Sequence, residues 1–278
     1  MLKVDSSIVS VDWLYDNIHA DNLIILDATI QKVGTKGDGK KEKQQIQNAV
    51  FFDLKNIFLD TQGKYPNTIP SERYFEKEVQ QLGINNDSCI IVYDNLGVYS
   101  APRAWWLFKT FGFTNIAVLN GGLTAWEEAG YEVEPKKERK LSVGNFASNF
   151  NKSKVSNTEE VLKASHHKKV IIDARSKGRF NATQPEPRKD LRGGHIPHSK
   201  SLPYTELQTK GKMKSKAELQ KIFSEINPKK EEMIFSCGSG ITACILALGA
   251  EISKNTNYSV YDGSWTEWAS RLELPIEK

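Results

Sequence analysis

The sequence predicts an α/β protein built from two copies of one domain, each a mostly parallel sheet flanked by helices. Three pairs of segments carry this prediction. The apolar runs "LIILDATI" (23–30) and "VIIDARSK" (170–177) each read as a buried strand ending in an acid, Asp27 and Asp173, 146 positions apart. "CIIVYDNLGVYSAPRAWWLFKTFG" (89–112) and "EMIFSCGSGITACILALGAEIS" (232–253) both read as strand, glycine-containing loop and helix, with Asp94 opposite Cys237 at an offset of 143. "VLNGGLTAW" (118–126) and "VYDGSWTEW" (260–268) align Trp126 with Trp268 at an offset of 142. Three features recurring in one order at nearly constant spacing mean a duplication.

Within each copy the short apolar strands alternate with helical segments such as "SERYFEKEVQQLG" (71–83) and "SKAELQKIFSEI" (215–226), the pattern of βαβ units around a parallel sheet. Between the copies, "EVEPKKERKLSVGNFASNFNKSKVSN" (132–157) is polar and lysine-rich and reads as a connection, with Val143, Phe146 and Phe150 expected to pin part of it to a domain surface. The expected division is an N-terminal domain over 1–140, a linker over 141–154 and a C-terminal domain over 155–278. With 278 residues, 39% of them hydrophobic, the chain can fill two cores.

Charge and cysteine content narrow the function. The 38 basic and 34 acidic side chains leave +4, spread without a basic block, so nucleic acid is not an expected partner. No apolar run is long enough to span a bilayer and the N-terminus lacks a signal-like segment, so a soluble, cytoplasmic protein without a membrane partner is expected. Three irregularly spaced cysteines, Cys89, Cys237 and Cys244, argue against a disulfide framework. Cys89 and Cys244 fall inside the strand and the helix and read as core. Because two joined copies cover each other's surface, a monomer is expected.

Cys237 stands apart because it opens a run of small and polar residues, Gly238, Ser239, Gly240, Ile241 and Thr242, between an apolar strand and a helix N-terminus. Such a connection gathers unpaired backbone N–H groups where the helix dipole favours negative charge. The two glycines are expected to adopt positive φ and turn their N–H groups inward, while Ser239 and Thr242 add hydroxyls. A thiolate, or a persulfide anion attached to it, would be held there as a nucleophile. A lone cysteine after a strand is more often a small buried hydrophobe; the glycine-rich loop and its thiol-free twin at Asp94 weigh for the nucleophile. A cysteine phosphatase would need an arginine six positions on, where this chain has Ala243.

The stretch "ARSKGRFNATQPEPRKDLRGGHIPH" (174–198) brings Arg175, Arg179, Arg188 and Arg192 together. Such arginines usually solvate a surface, but two guanidiniums beside a nucleophilic thiol would form a site for a small carboxylate such as a keto acid. "HIPH" (195–198) has a metal-like spacing, but Pro197 breaks the helical geometry and nothing completes a zinc set, so neither a metal nor another cofactor is expected.

Residues 8–270 resemble the two-domain rhodanese-type sulfurtransferases through "DARSKGRF", "TQPEPR", "GHIPHSKSLPY", "VYSAPRAWWLF", "LNGGLTAW", "CGSGITA" and "YDGSWTEW". The resemblance implies that Cys237 accepts sulfur from a small anionic donor, forms a persulfide and passes the sulfur to a small thiol, a thioredoxin-like protein or cyanide, and that the N-terminal copy is silent. Loops reading Cys-Gly-Ser-Gly-Val/Ile-Thr look like those of the 3-mercaptopyruvate-using members, whereas thiosulfate-preferring members carry basic residues directly after the cysteine. By the same resemblance Arg179 and Arg188 match the arginines that hold the carboxylate and carbonyl of mercaptopyruvate. A thiosulfate:cyanide sulfurtransferase and a persulfide carrier with little small-molecule turnover are the alternatives. One departure stands out: where many relatives place a histidine and an aspartate as a relay to the loop serine, "YPNTIP" (65–70) has Asn67, and Lys55 takes the aspartate place. An amide is no general base at neutral pH. That leaves Ser239 as a hydrogen-bond donor only, or proton transfer through substrate and water.

Overall fold

The computed structural model describes every residue except 32–42, 138, 140 and 168, so Glu138 and Lys140 of the polar stretch 132–157 lie outside the described residues. The chain divides into two compact units. The first comprises Met1–Thr61, Ile69–Asn151 and Lys210–Met213; the second comprises Gln62–Thr68, Lys152–Thr209 and Lys214–Lys278.

Each unit has a five-stranded, wholly parallel sheet. In the first, the order across the sheet is Ile8–Val9, Ile116–Leu119, Cys89–Tyr93, Leu23–Asp27 and Val50–Phe51. In the second it is Val155–Ser156, Tyr258–Tyr261, Met233–Ser236, Val170–Asp173 and Lys200–Ser201. The orders are the same, strand for strand, so the duplication read from the sequence is also a duplication of topology. Register agrees too: Asp27 lies beside Tyr93 and Asp173 beside Ser236, at the carboxyl edge where the chain leaves the central strand. In parallel α/β sheets that edge is where ligands bind.

The central strands are buried along their length, which is why they are continuous apolar runs instead of alternating ones. The helices that follow them, Ala101–Thr110 and Ala243–Ile252, are buried nearly all round. Outer helices are amphipathic. Glu72–Gln81 is capped by Ser71 and buries Phe75 and Val79; Lys216–Ile226 opens with a Ser215–Glu218 capping box and buries Leu219 and Phe223. Among the described residues no helix is long and apolar enough to cross a membrane.

Part of the polar stretch after residue 132 lies against the first unit. Val133–Pro135 pairs antiparallel with Gln44–Ile46, and Phe146 is buried in an aromatic cluster with Phe75, Phe108 and Phe113. Phe150 packs on Phe111. Val143, expected to join them, is instead 63% exposed. The neighbouring Gly144 explains this: its N–H donates to the Gln80 carbonyl, and a Cβ there would collide with the Ile84 carbonyl oxygen, so the backbone itself lies against the unit and the Val143 side chain faces out.

Candidate active site

The loop after the central strand of the first unit shows what this connection does to an anion. Asp94 is fully buried, and its carboxylate accepts backbone N–H bonds from Leu96 (3.0 Å), Tyr99 (2.8 Å), Ser100 (2.9 Å) and Ala101 (2.8 Å). Burial pushes the Asp94 pKa up and those four donors pull it back. Gly97 closes the turn at φ 102°. The loop is a nest of N–H groups at a helix N-terminus, and in this copy the chain's own carboxylate fills it.

The equivalent loop of the second unit starts at Cys237, which is 1% exposed, whereas Gly238 and Ser239 are partly exposed. Its backbone is tied outward to the turn that begins the helix Ser264–Ser270. The Cys237 N–H donates to Ser264 Oγ (3.2 Å), the Cys237 carbonyl accepts from Trp265 N (2.9 Å), and the Gly238 carbonyl accepts from Thr266 N (3.0 Å) and Thr266 Oγ1 (2.6 Å). Ser264 Oγ also stands 3.9 Å from the Cys237 sulfur. Gly240 takes φ 81°, matching Gly97. Gly238 does not adopt positive φ, contrary to the sequence expectation; its lack of a side chain serves space instead, because a Cβ there would sit 3.0 Å from Arg179 Nη2. Ile241 is buried, and Thr242 occupies the N-cap of the helix Ala243–Ile252 without a side-chain capping bond.

Cys89 and Cys244 are both buried, as read from the sequence; burial pushes the Cys89 thiol up to about 11, and the Cys244 thiol donates to the Gly240 carbonyl at 3.2 Å. The four arginines separate into two kinds. Arg175 has a fully buried side chain, lies over the Trp265 ring and is bound by Asp173, Glu186 and the Gly194 carbonyl. Arg192 caps the C-terminal end of the helix Ser264–Ser270 by donating to the carbonyls of Trp268, Ala269, Arg271 and Leu274. Both are structural. Arg179 and Arg188 converge on Gly238: Arg179 lies over it, and Arg188 Nη1 donates to Thr266 Oγ1 at 3.0 Å, which in turn bonds the Gly238 carbonyl. His195 is stacked on Phe180 with Nδ1 2.9 Å from the Phe180 carbonyl, a structural role.

The segment 62–68 belongs to the second unit and brings Asn67 onto the loop. Asn67 is buried at φ 62°, and its Nδ2 donates to Ser239 Oγ (2.9 Å) and to the Ser239 carbonyl (3.1 Å). A carbonyl only accepts, so the amide must present its nitrogen here, and the Ser239 hydroxyl proton must point elsewhere. Lys55 belongs to the first unit; it is exposed, and its backbone N–H bonds Asp53.

Three residues of this neighbourhood were not singled out from the sequence: Glu186, Ser264 and Thr266. For Ser264 a signal existed. Aligning the copies sets it opposite Gly122, and both have positive φ, 50° and 55°. Glycine is required in the first unit because a Cβ would collide with the carbonyl oxygens of Asp94 and Gly97. Serine tolerates that conformation in the second unit at a cost of order 1 kcal/mol, and there its hydroxyl holds the Cys237 N–H.

The rhodanese-like domain family matches residues 10–129 and 157–271. The chain is 37% identical over 274 residues to the 3-mercaptopyruvate sulfurtransferase of Escherichia coli K12, with 97% of each chain covered. It is 37% identical over 279 residues to the thiosulfate sulfurtransferase of Mus musculus, covering 95% of this chain and 92% of that one. The crystal structure of the Escherichia coli 3-mercaptopyruvate sulfotransferase SseA is similar with a TM-score of 0.83 at 36% identity, over 94% of this chain and 99% of that one.

Proposed function

We infer that this chain, which belongs to the rhodanese-like family of sulfurtransferases, takes a sulfur atom from 3-mercaptopyruvate onto Cys237 and passes it as a persulfide to a thiol acceptor. The observation that carries this reading is the pair of loops. The connection whose N–H groups hold the Asp94 carboxylate in the first unit carries Cys237 at the matching position of the second, ahead of the helix Ala243–Ile252 and with Gly240 at a positive φ like that of Gly97, and a persulfide anion on Cys237 would take the place of that carboxylate. The first copy, its nest filled, is read as catalytically silent.

The chemistry balances without an external oxidant. The Cys237 thiolate attacks the donor sulfur; an S–S bond forms as the C–S bond breaks, and the electron pair passes into the enolate of pyruvate, which takes a proton at carbon and leaves. Arg179 and Arg188 hold the donor's carboxylate and carbonyl. Ser239, whose oxygen accepts from Asn67, has its own proton free to donate to the oxygen where enolate charge develops. Asn67 is thus a donor to the serine and takes no proton. A small thiolate or a thioredoxin-like protein then attacks the outer sulfur and returns Cys237 to its thiolate.

Intact mass after brief exposure to each donor, without reductant, tests the reading. Gain of one sulfur from 3-mercaptopyruvate is expected. Gain from thiosulfate alone would replace the donor, a second reading favoured by the equal identity to the mouse thiosulfate enzyme and opposed by the absence of basic residues at Gly238 and Ser239. Gain from neither would overturn both and leave a persulfide carrier. A second prediction concerns Arg188→Ala: losing a charge-assisted carboxylate bond should raise KM for mercaptopyruvate by about tenfold or more. An unchanged KM would contradict a carboxylate role.

A further inference from the structure

Glu186 links the structural arginine to the one over the loop. Its side chain is 2% exposed; Oε1 accepts from Arg175 Nη1 (2.8 Å) and Arg179 Nε (3.2 Å), and Oε2 accepts from Arg179 Nη2 (2.6 Å). Arg175 is already matched by Asp173, whose carboxylate takes its Nε and Nη2. The Glu186 charge is therefore the counter-charge of Arg179. Among these side chains, two carboxylates balance Arg175 and Arg179, while Arg188 is bonded to the neutral Thr266 hydroxyl.

We propose that Glu186 sets donor choice by charge: it fixes the Arg179 guanidinium over Gly238 while cancelling its charge, so that the site offers one uncompensated cation, Arg188, to a donor with one negative charge in place of two. Arg179 keeps its geometric role as an N–H donor. What Glu186 removes is the second cation that a dianion such as thiosulfate needs, in a partly buried place where a unit charge a few ångströms away is weakly screened. A neutral residue at 186 would leave two cations facing the Cys237 loop. Glu186 is a positioning and specificity residue on this view and does not touch the reacting sulfur. The inference rests on the reading that the donor anion binds beside Arg179 and Arg188.

Persulfide formation on Cys237, followed by intact mass at graded donor concentrations, tests it. Glu186→Gln should raise the ratio of thiosulfate to mercaptopyruvate efficiency by about tenfold, through a lower thiosulfate KM, and added salt should erode that gain. Glu186→Asp, which keeps the charge, should hold the ratio within about threefold of wild type. If both variants lose both donors in the same proportion, Glu186 is only structural and the proposal fails. Should Glu186→Gln not fold, inhibition of wild-type loading decides: pyruvate, a monoanion, should inhibit at lower concentration than sulfate, and the reverse order overturns the proposal. If wild type takes no sulfur from mercaptopyruvate, the donor assignment fails by itself; the charge proposal then still requires Glu186→Gln to load faster from thiosulfate.

Discussion

Asp94→Ala is expected to be the most destabilising single change at either loop, costing about 3–5 kcal/mol and lowering the unfolding midpoint on the order of 10 °C. The carboxylate is fully buried and is the acceptor for four backbone N–H groups at the head of the helix Ala101–Thr110. Removing it leaves those donors aimed into a cavity. An unsatisfied buried donor costs roughly 1–3 kcal/mol, and partial entry of water or a buffer anion keeps the total below the simple sum. Asp94→Asn should cost much less, because its one oxygen can still take the place of Oδ2, which accepts three of the four bonds, while its NH2 faces only the Leu96 N–H. Formate should partly restore Asp94→Ala by refilling the nest. Denaturant titration of the three proteins checks this, and an Asp94→Ala variant within about 0.5 kcal/mol of wild type would show that the nest does not need an anion. The experiment bears on function because the same loop shape in the second unit is what is read as holding a thiolate.

Much of this was legible in the sequence because a duplication doubles every signal. The acidic strand ends Asp27 and Asp173, the glycines Gly97 and Gly240, and the tryptophans Trp126 and Trp268 recur at nearly one spacing, and the two sheets have the same strand order. What was not legible depends on contacts that no local rule encodes. Asn67 and Ser239 are 172 positions apart, so the direction of their hydrogen bonds could not be read from spacing. The reason for Gly238 is the Arg179 guanidinium above it, a neighbour 59 positions upstream, and not the φ freedom for which glycine is usually placed in a loop. Glu186 sits between two prolines in a polar stretch and looks like a solvated surface acid until Arg175 and Arg179 are found on either side of it. Val143 reads as packed from its apolar side chain, whereas the close approach of Gly144 to the Ile84 carbonyl decides which way this stretch faces.

Replacing Cys237 should separate the nest from the chemistry. Cys237→Ser is expected to gain no sulfur from any donor and to lose at least about 10³-fold in turnover, which is about 4 kcal/mol of transition-state stabilisation. A serine hydroxyl is not ionised at neutral pH, and among the described residues no histidine or other base is bonded to this position to take its proton; the neighbouring hydroxyl, Ser264, binds the backbone N–H. Cys237→Asp should be equally inert yet fold at least as well as the serine variant, because the matching position of the first unit carries a buried carboxylate ahead of the corresponding helix. The backbone ties of the loop, from Ser264, Trp265 and Thr266, do not involve the 237 side chain and so survive both changes. Turnover above about 1% of wild type in either variant would remove Cys237 as the sulfur-bearing atom. Loss of turnover together with loss of fold in Cys237→Asp would instead mean that the two loops, alike in backbone, are not alike as anion sites.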